Sequence, residues 1–235
     1  MIPWLDPDDL FPPIARALSA PNGLLCAGAD LSPERLVAAY SRGIFPWFSE
    51  GDPILWWSPD PRMVLFPQEL RVSRSLRKAV ARGAYETRFD HDFRAVIEAC
   101  AAPRKPDGGT WIVPEMVEAY VRLHERGFAH SVESWQDGRL AGGLYGVALG
   151  RVFFGESMFA HAPDASKVAL VKLVERLNAR GFRVIDCQQA TAHLASLGAR
   201  QIPRKAFAQI LEDSIQYPLS GERWSRAEDP RDDRN

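Results

Sequence analysis

Cysteine is scarce in this chain, and the scarcity argues against a disulfide framework. The 235 residues include three cysteines, widely spaced and in apolar surroundings: Cys26, Cys100 and Cys187. This usage is typical of buried thiols in a reducing cytosol. Four histidines show no metal-ligand spacing with cysteines or carboxylates: His124, His130, His161 and His193. No metal site is therefore predicted.

The chain also lacks a large net charge and long apolar runs. Twenty-nine Lys and Arg against thirty Asp and Glu give a formal charge of −1. Duplex binding along an extended basic face is not expected, although a local basic patch remains open. No apolar run approaches the ~18 residues of a membrane span, and the first residues lack the pattern of a signal peptide. We predict a cytoplasmic protein without membrane contact.

The sequence divides by composition. Residues 1–62 are rich in Pro, Gly and Trp and contain one clear helical pattern, which begins at Ser32-Pro33 and ends at Gly43. We expect a small irregular N-terminal domain packed around aromatic rings. Residues 222–235 are charged, and we predict a tail that is disordered beyond its single aromatic residue, Trp224.

Residues 63–221 show helix and strand periodicities in alternation. A hairpin with its turn at Gln136–Arg139 precedes the strand Arg151–Ser157, the crossover helix Ala165–Arg180 and the strand Phe182–Gln188. This order resembles the acetyltransferase-type (GNAT) fold. The predicted fold class is α/β (α+β), with an irregular N-terminal domain and a GNAT-like catalytic domain.

Aromatic and proline residues cluster at 43–62. Trp47 and Trp57 stand beside turns, where a ring can either fill the core of a domain with little regular structure or stack on a planar ligand such as a nucleobase. Both interpretations stay open from the residues alone.

A short helix opening at Ser73 carries four cations at three- to four-residue spacing: Arg74, Arg77, Lys78 and Arg82. They form a solvated face or, because like charges at this spacing repel, a site for an anionic nucleic-acid backbone.

Two strand-like runs place polar groups among large apolar residues. Glu156 lies in the first run, and Asp186 and Gln188 lie in the second. The side-chain period of two predicts that Asp186 and Gln188 share one face, opposite Ile185 and Cys187. The set is either a buried hydrogen-bond network or a site where an amine is held and deprotonated. Ser157 lacks the second glycine of a nucleophile elbow.

Five strings in these regions resemble the signature of the leucyl/phenylalanyl-tRNA–protein transferase family. They are GIFPWFS at 43–49, ILWWSPDPR at 54–62, GTWI at 109–112, GESMF at 155–159 and IDCQ at 185–188. The resemblance implies transfer of Leu or Phe, with Met left open, from aminoacyl-tRNA to the α-amino group of proteins beginning with Arg or Lys. That reaction belongs to N-end rule degradation and implies no cofactor.

The resemblance also implies roles for individual residues. Asp186 and Gln188 are the expected catalytic pair, with Glu156 at the acceptor end. The substrate contacts are expected from Phe153, Ser157, Met158, Leu144, Trp47 and Trp111, and the tRNA contacts from Arg74, Arg77, Lys78 and Arg82. Thr191 stands where the family is expected to carry Asn, so an orienting role at that position is not assigned.

Two other functions compete with this one. An acetyltransferase using acetyl-CoA needs a glycine-rich turn before a helix, whereas the stretch 158–165 has no glycine and places Asp164 at the helix start. A non-catalytic RNA-binding module would use the aromatic residues and the basic helix without needing Asp186. No helical seam suggests self-association, so a monomer is predicted.

Overall fold

The computed structural model describes residues 2–103, 110–216, 219 and 221–224. Within them the chain forms a mixed α+β structure with a four-stranded sheet, a seven-stranded sheet and seven α-helices. The expected α+β class is therefore confirmed. Residues 225–235, for which disorder was expected, lie outside the described residues.

The N-terminal region contains a small sheet as well as the predicted helix. The sheet has the order β1-β2-β4-β3. Its strands are β1 (Trp4–Leu5), β2 (Leu24–Gly28), β3 (Phe45–Pro46) and β4 (Leu55–Trp57). Helix α1 (Pro33–Tyr40) begins as predicted, with the Ser32 side chain accepting a hydrogen bond from the Arg35 N–H. The region is more regular than expected, because strands of two to five residues are too short to show a period of two.

The large sheet has the order β11-β5-β10-β9-β8-β7-β6. Its strands are β5 (Arg62–Leu65), β6 (Glu86–Phe89), β7 (Ala129–Gln136), β8 (Arg139–Leu149), β9 (Val152–Ala160), β10 (Val184–Gln188) and β11 (Arg200–Ile202). The helices are α2 (Arg74–Ala81), α3 (Phe93–Ala101), α4 (Pro114–Glu125), α5 (Ala165–Ala179), α6 (Ala192–Ser196) and α7 (Arg204–Ser214).

Strands β7 and β8 form the predicted hairpin. Its two-residue turn, Asp137-Gly138, has positive φ at both positions, which glycine and aspartate adopt at low cost and which matches the twist of paired strands. Helix α5 then crosses over β7 and β8, against which it packs. The loop before α5 is shorter than expected, because β9 continues to Ala160.

Strands β9 and β10 run parallel and then separate. Their pairing ends at Asp186 and Phe154. Beyond that point β9 remains paired with β8 as far as Ala160, whereas β10 ends at Gln188. The two strands therefore form a fork, and the side chains at its edges face an opening in the sheet.

One apolar core joins the two sheets. Trp56 of β4 and Tyr40 of α1 belong to the same buried cluster as Tyr120 of α4 and Phe154 of β9. Burial of these large rings holds the small sheet against the large one, because each ring removes much apolar surface from water. The N-terminal region thereby supplies side chains to the back of the fork.

Candidate active site

A cavity of about 300 Å³ occupies the fork between β9 and β10. One part of its wall is apolar and consists of Leu144, Phe153, Met158, Leu170, Leu173 and Ile185. The other part carries polar groups from Glu156, Ser157, Gln188, Thr191 and His193. Among the described residues that line the cavity, Glu156 is the one carboxylate, and none is Lys or Arg. The cavity thus combines a large apolar end with an acidic polar end.

β-Bulges at both edges of the fork set the direction of the polar side chains. In β9 the pairing with β8 skips Glu156, because Tyr145 faces Ser157 and Gly146 faces Gly155. In β10 the pairing with β5 skips Cys187 in the same way. Bulges insert an extra residue and re-aim the neighbouring side chains, and they are frequent beside active sites.

The bulge in β10 makes one prediction wrong. Asp186 and Gln188 do not share a face, since the strand's period of two is interrupted between them and Gln188 takes a φ of +60°. Gln188, together with Ile185 and Cys187, lines the cavity, whereas Asp186 is absent from its lining. A single extra residue in a strand moves every following side chain to the other face.

Three neutral donors surround the Glu156 carboxylate. The Tyr40 hydroxyl donates to Oε1 over 2.8 Å, the Tyr120 hydroxyl to Oε2 over 3.1 Å, and Gln188 Nε2 to Oε1 over 2.8 Å. The two tyrosine hydroxyls are also in hydrogen-bond contact with each other. Because each hydroxyl carries one proton, all three contacts are hydrogen bonds only when the Glu156 carboxyl group supplies the third proton. Burial raises the pKa of Glu156 to about 7, because desolvation of the charged form and the nearby Asp186 outweigh the donors.

A third tyrosine lies beside this network. The Tyr145 hydroxyl is buried and has no hydrogen-bond partner among the described residues, and its ring meets Tyr120 edge-on at 5.5 Å. Burial, with Glu156 nearby, raises the pKa of Tyr145 well above its usual range, so the hydroxyl stays neutral at physiological pH.

Asp186 is buried and forms a bidentate ion pair with Arg62. The Arg62 guanidinium donates from Nε to Oδ1 over 2.8 Å and from Nη2 to Oδ2 over 2.6 Å, and both side chains are 0% exposed. Asp186 Oδ1 also accepts the backbone N–H of Gln188 at 2.9 Å. Asp186 does not line the cavity, and its contacts join it to Arg62 and to the Gln188 backbone.

Arg62 is a residue that sequence reasoning missed. Its Nη1 donates to the Gly43 carbonyl over 3.1 Å, and its guanidinium lies over the rings of Phe45 and Phe207 at 4.8 and 4.9 Å. It therefore ties the small sheet to β10. The sequence did contain an indication of this role. Arg62 begins an apolar strand, and a buried arginine needs a carboxylate partner from another part of the chain.

The structure brings together most of the residues expected at the apolar end. Leu144, Phe153, Ser157 and Met158 all line the cavity, as does Trp111. The structure adds side chains that the sequence strings do not contain: Leu170 and Leu173 from α5, and His193 and Leu194 from α6. Those residues come from other elements, so only the folded topology identifies them.

Comparison with known proteins identifies the family. The profile of the family described as leucyl/phenylalanyl-tRNA protein transferase matches residues 64–212, and the profile of its N-terminal domain matches residues 29–60. This chain belongs to the leucyl/phenylalanyl-tRNA–protein transferase family. It is an aminoacyltransferase, as expected from the sequence. The acetyltransferase and the non-catalytic alternatives receive no support from its relatives.

Two relatives illustrate the likeness to this transferase. The leucyl/phenylalanyl-tRNA–protein transferase of Nitrosospira multiformis is 64% identical over 224 residues, covering 95% of this chain and 97% of the relative. That of Chromobacterium violaceum is 59% identical, covering 95% and 96%. Among solved structures, that of L-PGS from Bacillus licheniformis aligns with a TM-score of 0.39 and 11% identity over 72% of this chain and 54% of the other. This last likeness is too low to carry an argument.

The two tryptophans expected to contact substrate occupy different places in the transferase. Trp111 lines the cavity. Trp47 does not appear among the described lining residues; it is 38% exposed and meets Trp57 edge-on at 5.3 Å, with Trp57 Nε1 donating to the Trp47 carbonyl over 2.7 Å. Gly109, which belongs to the same string as Trp111, lies outside the described residues.

The basic helix is exposed. Ser73 caps α2 by accepting a hydrogen bond from the Leu76 N–H, and Leu76 is buried on the opposite side. The cations are all exposed: Arg74, Arg77, Lys78 and Arg82. No ion pair involving them is present in the described part of the chain. Their charges are available to an anionic partner.

The described residues show neither a metal-type cluster nor a membrane-spanning helix. In the ranges that the structure describes, no group of three or more His, Cys, Asp or Glu side chains is arranged to hold a metal ion. No helix in that part of the chain has the length and apolar character needed to cross a bilayer. Asp164 precedes α5 and pairs with Lys167 at 2.8 Å, which places a carboxylate at the helix start, as the sequence indicated.

Proposed function

We propose that this transferase moves Leu or Phe, with Met as a further cargo, from aminoacyl-tRNA to the α-amino group of proteins beginning with Arg or Lys. A new amide forms, and the tRNA leaves with a free 3′-hydroxyl. The observation that carries the proposal is the pairing, in one cavity, of an apolar end with a single carboxylate whose pKa is about 7.

The apolar end suits the side chain of the transferred amino acid. Its walls come from Leu144 and Phe153 of the sheet and from Leu170 and Leu173 of α5, and Met158 stands at the polar boundary. Methionine adapts to groups of different shape, which supports a site that accepts both Leu and Phe. Packing alone discriminates against a side chain one methylene smaller by only about 1–3 kcal/mol.

The polar end suits the attacking amine. An N-terminal amine has a pKa of about 7.7–8.0, close to that of Glu156, so proton transfer between the two costs little free energy. The absence of Lys and Arg from the described lining means that no cation there opposes entry of an ammonium group. Glu156 would take the proton that the amine loses and return it to the departing tRNA oxygen.

Gln188 would hold the ester in place. One Nε2 hydrogen is directed at Glu156, and the amide retains a second N–H for a carbonyl oxygen. Asp186, proposed from the sequence as the catalytic partner of Gln188, would act by fixing the Gln188 backbone. The donor ester is already activated, so positioning and proton management supply most of what the reaction needs.

Other contacts follow from the family resemblance. Trp111 and Trp47 would bind the terminal adenosine, and the basic face of α2 would meet the acceptor stem. The parallel strands that separate at the fork support a GNAT-like catalytic domain. We further propose a cytoplasmic monomer that acts in N-end rule degradation and needs no cofactor.

The decisive experiment is a transfer assay. Purified protein is incubated with [¹⁴C]leucyl-tRNA and a peptide beginning with Arg, and the Leu-Arg product is identified by mass spectrometry. The same peptide with an acetylated N-terminus, and a peptide beginning with Asp, are matched acceptors that we expect to remain unmodified. Absence of product from the free Arg peptide would refute the activity. Equal labelling of the Asp peptide would refute the acceptor preference alone.

A further inference from the structure

Trp224 lies far from the polar groups of the fork in sequence, yet it is packed beneath the cavity. It is 1% exposed and belongs to the same apolar cluster as the cavity walls Leu144, Phe153 and Ile185. Its indole stacks on the His130 ring, with centroids 4.1 Å apart and planes 7° apart, and on the Phe153 ring at 5.8 Å and 27°.

The backbone around Trp224 is held in place by specific bonds. The Trp224 N–H donates to Asp90 Oδ2 over 2.9 Å, and the same oxygen is 2.8 Å from His130 Nδ1. Two residues earlier, the Glu222 N–H donates to the Gly127 carbonyl over 2.9 Å. Since these contacts fix the main chain, the indole has a defined position against Phe153.

The Phe153 ring packs against both the backbone of β8 and the Trp224 indole. A Cβ at Gly146 would lie 2.6 Å from two atoms of the Phe153 ring, so the ring already rests against the backbone of β8. Phe153 also lines the cavity. Trp224 is also one of the residues around a separate, polar cavity of about 860 Å³. Its indole packs directly against the ring that bounds the apolar end.

We propose that Trp224 is a positioning residue that sets the depth of the apolar end by holding Phe153, and thereby sets the preference among the amino acids transferred. This inference rests on the proposed function, in which the apolar end receives the cargo side chain. A smaller residue at position 224 lets the Phe153 ring recede, so the cavity deepens and the larger cargo gains contacts.

The test is a change of selectivity in Trp224→Phe. We expect the ratio of kcat/KM for phenylalanyl-tRNA over leucyl-tRNA to rise about three- to tenfold. This change is somewhat smaller than the discrimination that one methylene group produces in a hydrophobic pocket. Trp224→Leu removes more volume and should give a larger rise. The matched control is Trp56→Phe, because Trp56 is equally buried but packs in the small sheet and does not line the cavity.

The outcomes separate the role of Trp224 from the placement of the cargo pocket. A shifted ratio in Trp224→Phe with an unchanged ratio in Trp56→Phe supports the inference. An equal shift in both variants would show a general effect of destabilisation and overturn it. Phe153→Leu serves as the direct test of the pocket: if it changes the ratio and neither Trp224 variant does, the inference fails while the proposed function stands. If Phe153→Leu has no effect, the cargo pocket itself is wrongly placed.

Discussion

The buried pair of Arg62 and Asp186 allows the role of Asp186 to be decided by experiment. Two functions compete for this carboxylate: direct acceptance of the amine's proton, or support of Gln188 from behind the wall. We would compare Asp186→Asn, Arg62→Met and the double variant. The substitutions preserve approximate side-chain volume and remove one charge, the other charge, or both.

The expected stabilities follow from burial. Both side chains are 0% exposed and joined by two short hydrogen bonds. Removal of one partner leaves an uncompensated buried charge, which costs about 3–5 kcal/mol. The double variant contains no unpaired charge, so its loss should be well below the sum of the single losses. Urea unfolding measures all three values, and their coupling free energy should be of order 2–3 kcal/mol.

The expected rates separate the two functions. If Asp186 supports Gln188, loss of either partner frees the Gln188 backbone from its φ of +60°, so kcat falls by a similar factor in both single variants. If Asp186 takes the proton itself, Arg62→Met retains a carboxylate and keeps most of its kcat, whereas Asp186→Asn does not. In each case we expect affinity for tRNA to stay within a few-fold of the parent protein.

Two results would contradict the supporting role. One is an Arg62→Met variant that is destabilised yet turns over at nearly the parental rate. The other is an Asp186→Asn variant that loses less than about 1 kcal/mol of stability, since that loss is too small for an uncompensated guanidinium in the protein interior.

Three further predictions concern Glu156 and the basic helix. Because burial raises the pKa of Glu156 to about 7, kcat/KM should fall below that pH as the group is protonated, and Glu156→Gln should abolish this limb of the profile; an unchanged limb would exclude Glu156 as the base. The same shift means that Glu156 binds a proton in the folded protein but not in the unfolded chain between pH 4.5 and about 7. Its contribution to stability should therefore fall as pH rises through that window, by up to about 3 kcal/mol, and Glu156→Gln should remove this contribution. On α2, Arg77→Ala and Lys78→Ala should each raise the KM for tRNA and lower the salt dependence of binding by about one counterion, with kcat unchanged. Arg139→Ala, an exposed cation at the hairpin turn, is the control, and an equal effect there would show that the α2 cations have no special role.

Local signals in the sequence were sufficient for several elements. Ser32 and Ser73 each accept the capping hydrogen bond expected of a helix start. The Asp137-Gly138 turn forms the expected hairpin, because positive φ at both positions is the backbone conformation of a two-residue turn between paired strands. In each case the residues that determine the element are neighbours along the chain, so the sequence pattern contains the whole cause.

Features that depend on distant pairing could not be predicted in this way. The bulge that separates Asp186 from Gln188 exists because β10 pairs with β5, which lies about 120 residues earlier in the chain. The small sheet and the strands β5, β6 and β11 are likewise too short to show a pattern. Trp224 was expected to mark the edge of a disordered tail; only the folded protein shows the cage that His130 and Phe153 form around it.

The two carboxylates of the fork illustrate how environment assigns chemistry to identical groups. Asp186 meets a fixed cation, so its charge is compensated inside the protein. Glu156 meets only hydroxyl and amide donors, which stabilise a charge without cancelling it, and burial therefore raises its pKa to about 7. A cavity that receives an amine of similar pKa gains from this arrangement, because the carboxylate can take a proton and release it without a deep free-energy minimum on either side. Because Arg62 compensates Asp186, Glu156 is the carboxylate to which the proposed function assigns proton exchange with the substrate.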